Sequence, residues 1–443
     1  MTIDPRCSTD HNHCRAGLDN AWISDYWKGM YRLRLVEWAK SICTVRSGAV
    51  APAVLAVALV TGCDEHEFDA IEVGDEIDRG RPAAIVPGEV TGRYIVQFRR
   101  GSDPRIAAAE VGAAPEFVYR RLTPGFAGQL SHAQLAALRE HPNVLRIEPD
   151  QIVTTVETQE DLIDGLWGLD RVDQCGPLLA GPYSYNYDYT GAGVNVYVVD
   201  SGIDQAHPEF EGRAAIGFDA LYKTTKHPKY GRDCDGHGTH VAGTIGAASY
   251  GVAKGVNLYG VRVLGCNGSG TWSSVIAGLE WVAEHHVGPA VVNMSLGGGK
   301  SQAVNDAVRE LVEQHGVLVV VAAGNNNANA CNYSPASEPT ALTVGASDRN
   351  DQRASFSNHG TCVDMFAPGV GIASTWLSGG ERSLNGTSMA SPHVAGVAAL
   401  YLQANPGAEI DELEAALKDR ASSGQIIGAP NLIVYSRCSD WSC

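Results

Sequence analysis

The chain lacks several features that would direct it elsewhere. No apolar run reaches the roughly 20 residues that span a bilayer. The longest, Ala49 to Gly62 (AVAPAVLAVALVTG), has the length of a signal-peptide core instead. No Cys-x-x-Cys pair occurs among the eleven cysteines, which argues against zinc-ribbon and thioredoxin-like chemistry and leaves disulfides in an oxidising compartment. Basic residues are the minority: 33 Lys and Arg against 50 Asp and Glu give a formal charge of -17, the wrong sign for a nucleic-acid surface. No internal repeat or low-complexity tract is present.

What is present is an ordinary globular composition. Hydrophobic residues make up 44% and charged residues 19% of 443, enough to fill a core and too long a chain for a single one. Two or three folding units are expected. Lys40 and Arg46 supply positive charge ahead of the apolar run, with Met30 as one candidate start and an N-terminal extension as the alternative. The run closes on Val60-Thr61-Gly62-Cys63, which resembles the lipobox of bacterial lipoprotein precursors, where the cysteine (here Cys63) becomes acylated; an ordinary cleavage site beside a cysteine is the other reading. Residues 1–63 are therefore expected to be extension and signal peptide, and 64–91, acidic with late proline and glycine, a linker.

Arg93 to Phe98 alternates like a strand, Ser131 to His141 has a serine cap before apolar residues at helical spacing, and Val144 to Glu148 reads as a second strand. A small α+β, ferredoxin-like domain is expected over 92–155. From about 190 the pattern changes. The runs VNVYVV (194–199), LYGVRVL (258–264), AVVNM (290–294) and VLVVVA (317–322) are β-branched and apolar, as strands buried on both faces should be. Helical stretches at 273–285 and 302–315 separate them. Such alternation predicts an α/β, doubly wound parallel sheet over 156–443, with its site at the carboxyl ends of the strands.

Three motifs fall where that rule puts a site. Asp200 follows VNVYVV directly, although a lone Asp there is usually a turn former. His237 lies in Asp-Gly-His-Gly-Thr-His, where flanking glycines let backbone pass close to a substrate. His-x-x-His could suggest a metal pair, but no Glu follows the first His as a zinc peptidase requires, and His240 reads as structural. Ser388 lies in Asn-Gly-Thr-Ser-Met-Ala-Ser-Pro-His, at the start of an apolar helix whose unpaired amides favour developing negative charge. A helix cap is the bland reading of an isolated serine. No Gly-x-Ser-x-Gly elbow surrounds it, which counts against an esterase, and His393 is expected to pack inside the helix.

Taken together, the three motifs resemble the subtilisin superfamily, closest to its proteinase K and aqualysin branch, over roughly 160–435, with 92–155 similar to an inhibitor-type propeptide. The order Asp, His, Ser is the subtilisin order. The resemblance implies a secreted serine endopeptidase: Ser388 as nucleophile, His237 as acid–base, Asp200 as its orienting partner and Asn325, after Gly324, as oxyanion donor. Ser295-Leu296-Gly297-Gly298 and Gly268-Ser269-Gly270 resemble the edges that pair with an extended peptide, around a pocket for medium or large apolar side chains. Polypeptide substrates and the chain's own propeptide are the expected partners, with transient membrane anchoring of the precursor if Cys63 is acylated and a monomeric mature enzyme.

The same resemblance implies disulfides Cys234–Cys266 and Cys331–Cys362. Less securely, it implies Cys438–Cys443, which leaves Cys175 over, as a free thiol or in another pairing that the sequence does not decide. It implies calcium as the only cofactor, structural in role, held by Asp364 with the carbonyls of Pro339 and Ala341. Asp170, Asp173 and Gln174 resemble the start of a second calcium loop whose later part lacks oxygen side chains. Self-cleavage is expected near Thr155 to Glu160, since 151–159 is β-prone and can lie extended through the cleft.

Overall fold

The computed structural model describes residues 92–155, 158–159, 166–176, 183–426 and 430–437. The expected signal run, Cys63, the linker, Cys438 and Cys443 lie outside them.

The first unit is a four-stranded antiparallel sheet. Its strands are β1 (Arg93–Phe98), β2 (Phe117–Tyr119), β3 (Gly125–Gln129) and β4 (Val144–Pro149), in the order β2-β3-β1-β4, with helices Pro104–Glu110 and His132–Glu140. Val96, Phe98, Phe126, Leu138 and Ile147 form a core of their own. Asp103 and Ser131 cap the two helices, Ser131 through a reciprocal box with Gln134. After β4 the chain continues as β5 (Ile152–Thr155) and β6 (Thr158–Gln159).

The larger unit is built on a nine-stranded sheet. Its strand β7 (Asn195–Asp200), third from one edge, is buried along its whole length, and β8 (Ala214–Asp219) forms that edge. Further along the chain come β9 (Asn257–Arg262), β10 (Ser269–Thr271), β11 (Ala290–Met294), β12 (Leu296–Gly299), β13 (Leu318–Ala322), β14 (Tyr333–Ser334), β15 (Leu342–Ser347), β16 (Met365–Pro368), β17 (Ile372–Trp376), β18 (Gly380–Asn385), β19 (Ser422–Ser423) and β20 (Leu432–Ile433). The order is β19-β20-β16-β15-β13-β11-β7-β9-β8, parallel except for β19 against β20. The helices His237–Gly246 and Thr387–Ala404 pack together in one apolar core, and Trp272–His285 and Gln302–His315 pack together in another. Each of the latter two is set by local chemistry. Thr271 caps the first, Ser301 caps the second, and Gly316 ends it in the left-handed region at φ 62°.

The small unit docks on the amino ends of those two helices. Glu148 accepts from Ser301 Oγ (2.8 Å) and from the Gln302 and Ala303 amides (3.2 and 3.4 Å). Asp150 accepts from the Ser273 amide (2.9 Å) and hydroxyl (2.6 Å). In the reverse direction Glu280 accepts the amides of Arg120, Arg121 and Leu122. Carboxylates at helix amino ends meet both unpaired amides and a favourable dipole. No helix among the described residues is long and apolar enough to cross a membrane.

Candidate active site

Asp200, fully buried, ends β7, and His237, equally buried, begins a helix, so the strand-end rule puts them side by side. His237 Nδ1 lies 2.8 and 3.0 Å from the Asp200 carboxylate oxygens. The glycines around His237 allow close packing. A Cβ at Gly238 would sit 2.2 Å from the Gly202 carbonyl and 3.1 Å from Asp200 Oδ1, and one at Gly236, with φ 108°, would strike Trp376. Gly238 lets the helix close on the strand end that carries Asp200, and Gly236 lets it close on the Trp376 ring of β17.

Ser388 occupies the first turn of the Thr387–Ala404 helix, which packs against the His237 helix. Its Oγ donates to the Ser295 carbonyl at 3.0 Å. A hydroxyl has one proton, so transfer to His237 calls for the O–H to turn away from that carbonyl. Ser295, expected on an edge that pairs with a peptide through its backbone, has its side chain buried beneath the site. Its hydroxyl donates to the Ser388 carbonyl and meets Ser391 Oγ, each at 2.9 Å. Asn325 Oδ1 accepts from the amide and hydroxyl of Thr387 (2.9 Å each), which turns its amide nitrogen away from that residue. Gly324, at φ 101°, has no room for a side chain because Asn358 lies against it.

Two other histidines are near but chemically inert. Burial pushes His240 down to about 3 and His393 down to about 4, so both are neutral at working pH. His240 Nε2 meets the carbonyls of Ile372 and Arg382, and His393 Nδ1 meets that of Met389.

β5 runs antiparallel between β10 and β12: Ser269 faces Thr154, Gly270 faces Val153, Leu296 faces Thr155 and Gly297 faces Thr154. The Thr155 amide also donates to the Gly268 carbonyl at 2.9 Å. β6 pairs with Leu384 and Asn385 of β18, the strand that leads into Ser388. Beside the Thr154–Thr155 end of β5 opens a cavity of about 360 Å³, lined by Gly297–Gly299, Ala322–Asn326, Tyr333, Ser334 and Ala336, with no charged side chain.

Cys234–Cys266 and Cys331–Cys362 are formed as expected. Cys175 is not a spare thiol: it is disulfide-bonded, and the four other described cysteines pair with one another. The calcium expectation is reordered. Asp364 already has its charge matched by Lys418 Nζ at 2.9 Å, and its other oxygen accepts the Thr343 amide, so as arranged it does not fit a divalent ion with Pro339 and Ala341. Asp173 fits better. Its Oδ2 accepts from Asn186, whereas its Oδ1 is buried without a hydrogen-bond partner, and burial followed by nearby Asp170 raises its pKa. Among the described residues no group of three or more His, Cys, Asp or Glu converges on one point, so any ion there would draw on carbonyl or water oxygens.

Several residues that hold the site together had no signal in the sequence: Thr387 on Asn325, Asn358 under Gly324, and Asp233 beside His237. Thr387 and Asn358 act through contacts between segments far apart in the chain, whereas Asp233 bonds to its own neighbours and to Ser201.

Comparison with known proteins agrees with this geometry. Residues 191–435 match the subtilase family and residues 107–156 match the peptidase inhibitor I9 family. Alkaline serine exoprotease A of Vibrio alginolyticus is 50% identical over 72% of this chain and 60% of its own length. The extracellular serine proteinase of Thermus sp. (strain Rt41A) is 46% identical over 79% of this chain and 90% of its own, and proteinase R of Parengyodontium album 42% identical over 83% and 94%. The crystal structure of a cold adapted subtilisin-like serine proteinase superposes with a TM-score of 0.59 at 51% identity, covering 62% of this chain and 98% of that one. With a paired Asp and His at the strand ends, a serine at a helix start and an inhibitor-type unit in front, this chain belongs to the subtilase family of serine proteases.

Proposed function

We propose that this chain is a secreted endopeptidase, with Asp200, His237 and Ser388 as its catalytic triad, that removes its own propeptide. The observation that carries the reading is β5, an extended strand of the chain itself, seated between β10 and β12. Ser388 Oγ attacks the scissile carbonyl carbon while His237 Nε2 takes the hydroxyl proton. The C–N bond then breaks, and the same proton passes to the leaving amine. Water, deprotonated by His237, hydrolyses the acyl ester. Asp200 holds the imidazole by Nδ1 and stabilises its charged form. The Asn325 side-chain amide and the Ser388 backbone amide donate to the tetrahedral oxyanion. A glycine- and alanine-lined cavity without charge suits apolar side chains of medium or large size.

β5 approaches the site from one side and β6 leaves it on the other, so the first cut falls between Thr155 and Thr158. Those bonds lie outside the described residues. Secretion is supported by relatives named as extracellular or exoproteases. A structural calcium ion would be held by Asp170 and Asp173, away from the triad.

Ser388→Ala removes the nucleophile and little volume. Expressed without other proteases, that variant is expected to accumulate uncut and to take no fluorophosphonate label, whereas the native chain is cut and labels at Ser388. Processing of the purified variant at the same position would refute self-cleavage, and a folded, propeptide-free native chain that takes no label would refute the enzyme reading.

A further inference from the structure

The helix that begins with His237 has no cap of its own, because its N-cap residue is Gly236. Asp233, three residues upstream, does that work. Its Oδ2 accepts from the amide (2.9 Å) and the hydroxyl (2.6 Å) of Thr239, and its Oδ1 accepts from the amides of Asp235 (3.0 Å) and Gly236 (2.9 Å). A cap needs no more than this. Yet Asp233 Oδ1 also accepts from Ser201 Oγ at 3.0 Å, and Ser201 is the residue directly after Asp200. The Ser201 hydroxyl in turn accepts the Gly238 amide at 2.9 Å, while its own amide donates to Asp200 Oδ1 at 2.7 Å. Thr239 Oγ1 closes the set by accepting the Asp204 amide at 2.9 Å. One carboxylate therefore fastens both the strand end that presents Asp200 and the helix start that presents His237.

We propose that Asp233, acting through Ser201, is a positioning residue that sets the Asp200–His237 contact; the proposal rests on the triad reading above. The contact joins two separate elements, β7 and a helix, and no covalent or sheet bond fixes their distance. A carboxylate fits because all five of its partners donate. An amide in its place would turn a donor toward one of them, the Thr239 amide if it replaced Oδ2.

The test uses the full chain in native form, as Asp233→Asn, as Ser201→Ala and as both together. Active sites are counted by fluorophosphonate labelling, so that turnover is expressed per competent molecule. Displacing a catalytic group by about 1 Å costs on the order of 10²-fold. Asp233→Asn is expected to lose about that much kcat with KM within about twofold, and Ser201→Ala about tenfold. The double variant should be no worse than Asp233→Asn alone, because both act through one bridge. The acid limb of kcat/KM should move to lower pH in Asp233→Asn, since a loosened Asp200 contact holds the protonated imidazole less well. A cap with only a structural role would lower thermal stability and leave per-site kcat and the acid limb where they were.

Variants that keep per-site kcat within twofold of native, or losses that multiply in the double variant, overturn the proposal while leaving the triad reading intact. A native chain that takes no label at Ser388 overturns both. Should Asp233→Asn not fold, Ser201→Ala decides alone, because it leaves every amide bond to Asp233 in place.

Discussion

Removing the two carboxylates that seat the propeptide on the catalytic unit should weaken its inhibition by a calculable amount. Glu148 and Asp150 each serve the amino end of a helix in the other unit, Gln302–His315 and Trp272–His285 respectively. A lost helix cap costs typically ~1 kcal/mol and up to ~2 kcal/mol. The two helices are capped independently, so the effects should add. Glu148→Ala or Asp150→Ala alone is then expected to raise the inhibition constant roughly 5- to 30-fold, and the pair about 10²-fold. The assay is inhibition of mature enzyme by propeptide 92–155 supplied separately, with circular dichroism on each variant to confirm an unchanged fold. A companion measurement on the full chain is the interval between self-cleavage and full activity, which should shorten in the same order. A folded double variant inhibiting within threefold of the native propeptide would refute the reasoning, since the docking energy would then reside elsewhere.

Acid should destabilise the enzyme through its buried histidines. His240 and His393 stay neutral in the fold down to about 3 and 4, but bind protons once unfolded below the ordinary value of 6.5. Stability is therefore complete above that value and is lost as pH falls, by roughly 1.4 kcal/mol per pH unit for each histidine. At pH 5.5 the pair contributes a loss of about 3 kcal/mol, visible as a falling Tm; a Tm flat from pH 7 to 5 would contradict it. Chelation of calcium should lower Tm with little effect on per-site kcat, and Asp173→Asn should abolish that response while Asp364→Asn does not. Opening Cys234–Cys266, which spans a separation of 32 residues, should cost about 4 kcal/mol on the chain-entropy estimate, measured as a drop in Tm with the label at Ser388 retained.

Much of this architecture was legible in the sequence because its signals are local. β7, β11 and β13 announce themselves as apolar runs too short for helices, and their alternation with the 273–285 and 302–315 segments implies the parallel sheet. Asp200, His237 and Ser388 could be singled out because each sits in a distinctive string at an element boundary. The failures are contacts between distant segments. Nothing near Asp364 indicates that Lys418, 54 positions away, faces it, and nothing around Ser295 indicates that its hydroxyl turns inward to Ser388 and Ser391. The state of Cys175 stayed open for the same reason: pairing is decided by three-dimensional proximity, which a count of cysteines cannot supply.

The seating of the propeptide has a kinetic consequence. The hydrogen bonds made by Glu148, Asp150 and Glu280 all lie outside the stretch from Thr155 to Thr158. Breaking the chain there changes its connectivity and removes none of them. On the proposed self-cleavage, the freshly cut molecule would be a noncovalent complex that still blocks its own cleft, with activity waiting on the fragment's departure. Before the cut the tether makes occupancy of the cleft independent of concentration; after it, occupancy obeys mass action. A crowded population of freshly cut molecules would recapture one another's fragments and stay silent, and dilution would switch it on. Because each freed enzyme can digest a stray fragment, the onset should be abrupt, with a lag that lengthens as the starting concentration rises.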